Sequence, residues 1–188
     1  MERMQERCRV RAASVASLLA LLGCAESVEE PAGPPTPDTR VAKRFDASAL
    51  AIIGGATEAE AYRLGGDGSL TEEEATGKQR LGRFDVALGP VRPDAGWLRR
   101  LRSVLFDDTS YEWKIAKACR PNPGIAVRYR QGADEVHLYL CFECDMLQIG
   151  RPGAERWADF DPGRAELIRL VRELFPADPT ILSLKEKN

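Results

Sequence analysis

Histidine is almost missing from this chain: 188 residues contain one, His137. A Ser-His-Asp hydrolase would have to use it. It falls inside a strand-like stretch, and no Gly-x-Ser-x-Gly elbow occurs anywhere. Four residues along a regular strand span about 13 Å, so His137 cannot form a catalytic dyad with Cys141. The same separation keeps the two from sharing a metal ion, and a zinc site would have only three thiols and this imidazole to draw on. His137 is therefore expected as a polar residue on the outer face of a sheet. A basic excess is missing too, with 27 Lys and Arg against 29 Asp and Glu, which argues against nucleic acid as a partner. No catalytic residue, cofactor or metal is expected on these grounds.

A membrane-spanning run is also lacking at the N-terminus. The apolar stretch at residues 12–22 is well short of the roughly 20 residues a bilayer core requires. It follows Arg3, Arg7, Arg9 and Arg11, and basic leader plus short apolar run is the layout of a secretory signal. The run ends in Leu21-Leu22-Gly23-Cys24, which resembles the lipobox of bacterial lipoproteins. That resemblance implies cleavage after Gly23 and a diacylglycerol on the Cys24 sulfur. Residues 26–39 (ESVEEPAGPPTPDT) are acidic and Pro-rich and have no apolar anchor, so they read as an extended tether. The expected organisation is a signal at 1–23, a tether at 24–40 and one domain at 41–188. Removing the signal takes away four arginines, Glu2 and Glu6, leaving 23 basic against 27 acidic residues. The expected location is the cell envelope, lipid-anchored to the outer or cytoplasmic membrane and facing the periplasm or the outside.

The body reads as α+β, an antiparallel sheet with about two helices on one face. Leu50–Ile53 and Ala59–Leu64 are short apolar runs bounded by glycine pairs, expected as the first strands. At residues 83–88, Phe84, Val86 and Leu88 alternate with Arg83, Asp85 and Ala87, a half-buried strand. Asp94 is placed to cap a helix over 95–106, in which Trp97, Leu98, Leu101, Val104 and Leu105 recur at helical spacing. Arg99, Arg100 and Arg102 share its other side and read as a solvated face. Ile125, Val127 and Tyr129, then Val136, Leu138, Leu140 and Phe142, form the apolar face of a β-hairpin, with another strand at 146–149. Asp161-Pro162 opens a last helix over about 163–175, with Leu167, Ile168, Leu170, Val171 and Leu174 as its apolar stripe.

Five cysteines remain to be placed. Cys8 lies in the signal and Cys24 takes the lipid, leaving Cys119, Cys141 and Cys144. A thioredoxin-like Cys-x-x-Cys has its first cysteine at a helix N-terminus, whereas Cys141 ends a strand. In an extended chain Cys141 and Cys144 are about 10 Å apart and can meet only if the chain turns sharply at Phe142-Glu143. Cys119 precedes the first hairpin strand and Cys141 ends the second, so antiparallel pairing brings them together. One disulfide is expected, from Cys119 to Cys141 or Cys144, with one thiol left over. The loop at 65–74 looks like half of a calcium loop, but Arg63 and Gly65 occupy positions that need carboxylates, so it reads as a glycine loop entering a capped acidic turn. Asp107-Asp108, Asp159 and Asp161 read as loop and cap residues rather than as catalytic acids.

Cys119-Arg-Pro-Asn-Pro-Gly124, the strand bearing Arg128 and Cys141-Phe-Glu-Cys144 together resemble an uncharacterised bacterial family. Its members place a Cys-x-x-Pro-Gly-like turn before a hairpin ending in Cys-Phe-x-Cys. The resemblance covers roughly residues 111–149 and implies no activity. Three functions compete, in this order. The first is a non-enzymatic envelope protein, anchored in the membrane by lipid and presenting its domain to a protein partner. The second is a thiol-redox or metal-binding protein using Cys119, Cys141 and Cys144. The third is a hydrolase with dispersed catalytic groups.

Overall fold

The computed structural model describes residues 35–65 and 79–186. The leader, Cys8, Cys24, most of the tether and all but the first residue of the glycine loop at 65–74 lie outside the described residues. What is described is α+β, as the sequence led us to expect. Seven antiparallel strands form one curled sheet: β1 (Glu60–Leu64), β2 (Arg80–Leu81), β3 (Phe84–Val91), β4 (Ile125–Gln131), β5 (Asp134–Cys141), β6 (Met146–Gly150) and β7 (Arg156–Asp159). Their order is β2-β3-β1-β4-β5-β6-β7. The helices of the described residues are α1 (Thr39–Arg44), α2 (Ala47–Gly55), α3 (Ala95–Phe106), α4 (Arg164–Leu174) and α5 (Pro179–Ser183).

The hairpin β4–β5 is the middle of the sheet. Its register runs from Ile125 opposite Leu140 to Gln131 opposite Asp134. The two-residue connection Gly132-Ala133 has glycine first, at φ +62, which is what the twist-compatible type II′ turn requires. Ile125, Val127, Tyr129, Val136, Leu138 and Leu140 point into the main core. There they meet Trp97, Leu98, Leu101 and Leu105 of α3 and Leu167, Ile168, Leu170 and Val171 of α4. Asp94 accepts the Trp97 amide proton at 2.7 Å and starts α3 where its side-chain chemistry predicts. The Trp97 indole donates to the Leu170 carbonyl at 2.9 Å, so its one polar atom is satisfied while its ring is buried between the two helices.

Four expectations need correction. Leu50–Ile53 is not a strand but part of α2, started by Asp46, which accepts from the Ala49 amide at 2.9 Å. Ala49, Leu50, Ile52, Ile53 and Gly54 are all buried. An apolar run covered on most sides carries no period, so spacing cannot tell strand from helix. Asp161 does not cap the last helix: it opens a 3-10 turn at Asp161–Gly163, and α4 begins at Arg164 after an uncapped Gly163. The alternation in β3 also fails at its far end, where Leu88 is 55% exposed. Ahead of α1, Asp38 donates its amide proton to the Phe106 carbonyl at 2.8 Å.

The fourth correction is the largest. The hairpin does not have a single apolar face, because every residue of β5 from Val136 to Cys141 is buried. A second cluster of Tyr62, Leu64, Leu81, Phe84, Ala126 and Tyr139 fills the other side. The hairpin β2–β3 curls over that side, pairing Leu81 with Phe84 around Gly82 and Arg83. Phe84 packs on Tyr139 with ring centroids 5.0 Å apart.

Candidate functional site

Cys141 closes β5, and residues 142–145 turn the chain back into β6, where Met146 pairs with Cys141. The sharp turn that the Cys-x-x-Cys spacing demands is therefore present. Asp145 completes it in the left-handed region at φ 52. Cys119 and Cys144 lie at disulfide distance, with Cα atoms 6.1 Å apart, inside the usual span. Of the two partners left open by the sequence, the structure takes Cys144. Cys141 is the thiol left over, fully buried, and its Sγ accepts the Asn122 amide proton at 3.3 Å.

Two cations hold this corner. Lys117 donates to the Cys144 carbonyl at 3.0 Å and bridges Asp159 at 3.1 Å and Asp161 at 2.5 Å. Burial alone would favour the neutral amine, but those two carboxylates outweigh it and hold the Lys117 pKa above its ordinary value. Arg164 donates to the Phe142 carbonyl at 2.8 Å, pairs with Asp145 and lies over the Phe142 ring at 5.8 Å. Asp159 and Asp161 thus hold a lysine and are not a pair of free acids. Asp107 and Asp108 are caps: Asp107 accepts from the Thr109 amide at 2.7 Å, and Asp108 accepts from the Arg40 and Val41 amides at the start of α1.

On the arginine face of α3, Arg99 is exposed and Arg100 forms a double contact with Glu173 of α4. Arg102 is only half-exposed and donates to the Gly54 carbonyl at 2.5 Å. A cation at the end of α2 satisfies carbonyls that the helix leaves without partners. The face is thus only partly solvated.

His137 is where the sequence misleads most. It is 2% exposed and sits on the second, covered side of β5. Its Nε2 lies 2.6 Å from Glu135 and its Nδ1 2.9 Å from the Tyr139 hydroxyl. The carboxylate can only accept, so Nε2 carries the proton and Nδ1 accepts from Tyr139. Burial, partly opposed by Glu135, pushes the His137 pKa below its ordinary value and favours the neutral ring. For Glu135, burial raises the pKa, but the hydrogen bonds from Arg130 and His137 outweigh it and hold it below the usual range. A carboxylate, an imidazole and a phenol at i, i+2 and i+4 share one strand face by the period of two. That spacing was visible in the sequence, but the covering of the face was not.

Arg130, the ion-pair partner of Glu135, lines a cleft of about 380 Å³ together with Glu58, Glu60, Arg92 and Arg128. Glu60 accepts from Arg128 and from the Tyr62 hydroxyl at 2.9 Å, and Arg128 stacks on the Tyr62 ring at 5.2 Å. The Arg128 hydrogen bond leads in keeping Glu60 ionised. Arg128 and Arg130 thus each meet a carboxylate, Glu60 and Glu135 respectively. Among the described residues no group of three or more His, Cys, Asp or Glu is arranged to hold a metal ion. No helix of the described residues is long and apolar enough to cross a membrane. Comparison with protein-family models, curated proteins and solved structures finds no match to this chain.

Proposed function

We propose that this chain is a lipid-anchored protein of the cell envelope whose folded body is a non-enzymatic interaction module. The observation that carries the reading is the Cys119–Cys144 pair at disulfide distance, taken with the basic leader, short apolar run, Leu-Leu-Gly-Cys24 and acidic Pro-rich stretch of the sequence. Disulfides persist in oxidising compartments, so a bridged body and an export signal are consistent with each other. Multiple acyl chains on Cys24 would anchor it far more firmly than one. Support for a protein partner comes from a surface cleft of about 360 Å³ in which Trp113, Ile115, Met146 and Trp157 lie among the charged side chains of Arg44, Glu112, Lys114, Lys117 and Asp159. Ile115 there is 65% exposed, and apolar and aromatic area of this kind is enriched in protein interfaces.

Fatty-acid labelling of the full chain in a bacterial host tests the anchor. The parent should take up label and sediment with membranes, and Cys24→Ala should do neither. Equal label in both would overturn the lipid assignment.

A further inference from the structure

The cysteine corner holds three sulfurs and one bond, and they are unequally placed. Cys119 is exposed, on a segment without regular secondary structure between Trp113 and β4. Cys144 is 6% exposed, within a turn fixed by the Arg164–Asp145 pair and by the Lys117 bond to its own carbonyl. Cys141 is fully buried three residues earlier, at the base of the same turn, its sulfur oriented by the Asn122 amide. A chain reversal of this kind brings residues three apart to within about 7 Å between Cα atoms. That is near the outer limit of disulfide reach. Asn122 is only three residues beyond Cys119, so the free sulfur and the bridge belong to one cluster.

We propose that the corner is a thiol–disulfide exchange site in which the bridge relocates from Cys119–Cys144 to Cys141–Cys144 and frees Cys119 as an exposed, reactive thiol. The proposal rests on the Cys119–Cys144 bridge of the reading above. When the corner opens transiently to water, Cys141 gives up its proton to it, and the thiolate attacks the Cys144 sulfur. The Cys141–Cys144 bond forms as the Cys119–Cys144 bond breaks. The electron pair of the broken bond leaves on Cys119, which takes a proton from solvent. One disulfide and one thiol are present before and after, so neither oxidant nor reductant is needed. Solvation decides the direction of cleavage. The sulfur that departs more easily is the one water can stabilise as thiolate, which is exposed Cys119 and not buried Cys144. The chain around Cys119 lies outside helix and strand, whereas the Cys144 turn is held at both ends. The freed thiol is a nucleophile toward a small electrophile that reaches the surface.

The test is alkylation of the native full chain with iodoacetamide at mildly alkaline pH, followed by peptide mapping without reduction. Label should accumulate on Cys119 with time, accompanied by a Cys141–Cys144 linked peptide. Cys141→Ser should lose the labelling and keep the Cys119–Cys144 link, and Cys119→Ser should be recovered with Cys141 bonded to Cys144. Label on Cys141 with the original bridge intact, a Cys119–Cys141 link, or no label at all would overturn the exchange while leaving the bridge standing. Three thiols labelled at once in protein from the oxidising compartment would instead overturn the bridge itself. Should the serine variants fail to fold, the mapping of the parent chain decides alone.

Discussion

Arg164, the first residue of α4, forms an ion pair with Asp145 in the β5–β6 turn, and both side chains are almost wholly buried. The guanidinium also donates to the Phe142 and Lys185 carbonyls, so one side chain joins the turn, the last helix and the C-terminal segment. With Lys117, it keeps the cysteine turn in place.

Breaking that pair from one side should be costly. Arg164→Met removes the cation and leaves Asp145 buried without its main partner, a loss expected at about 3–5 kcal/mol. The double variant Arg164→Met with Asp145→Asn should recover part of it, since no uncompensated charge remains. Denaturant melts of the three proteins measure this. A double variant no more stable than the single one would show that the carbonyl contacts of Arg164, and not its charge, matter most.

His137 predicts a pH dependence. Its folded pKa lies below the ordinary value of 6.5, so between the two values the unfolded chain binds the proton that the folded chain refuses. Stability should therefore decline as pH falls below about 6.5 and level off once the folded pKa is passed. His137→Gln should flatten that slope and, at neutral pH, cost about 1–3 kcal/mol through the disturbed Glu135 and Tyr139 hydrogen bonds. Leu138→Ala and Leu140→Ala on the other face should each cost about 2–5 kcal/mol with no change in slope. Melting the four proteins between pH 5 and 8 separates the two behaviours. An unchanged slope in His137→Gln would assign it to another group.

Two hairpin glycines should respond differently to the same substitution. Gly82 has φ +59, and a Cβ there would stand 2.8 Å from the Tyr139 hydroxyl. Gly132 has φ +62, with nothing within 4 Å. Gly132→Ala should cost only the backbone penalty, about 1–2 kcal/mol. Gly82→Ala should cost more, because it also displaces the phenol bonded to His137. Equal losses in thermal or denaturant melts would mean that β2–β3 yields easily and does not seal the second face.

What the sequence determined by itself is local. Asp94 ahead of a helical stripe starts α3, since the cap acts on an amide only three residues away. Alternation over 125–140, with Gly132 at a two-residue connection, settles the central hairpin, because register follows from the period of two and the turn. The cysteine pairing was narrowed to two partners by the order of the strands, and the choice of Cys144 depended on the four-residue turn and on where Lys117 and Arg164 hold it. Tertiary structure alone decided that Leu50–Ile53 is helical, since an apolar run without a period takes whichever form its neighbours leave room for. It also decided that His137 is buried. Nothing in β5 announces that β2 and β3, more than 40 residues earlier, curl over its polar side. A strand's own residues specify its two faces, but only the rest of the chain determines whether one of them meets water.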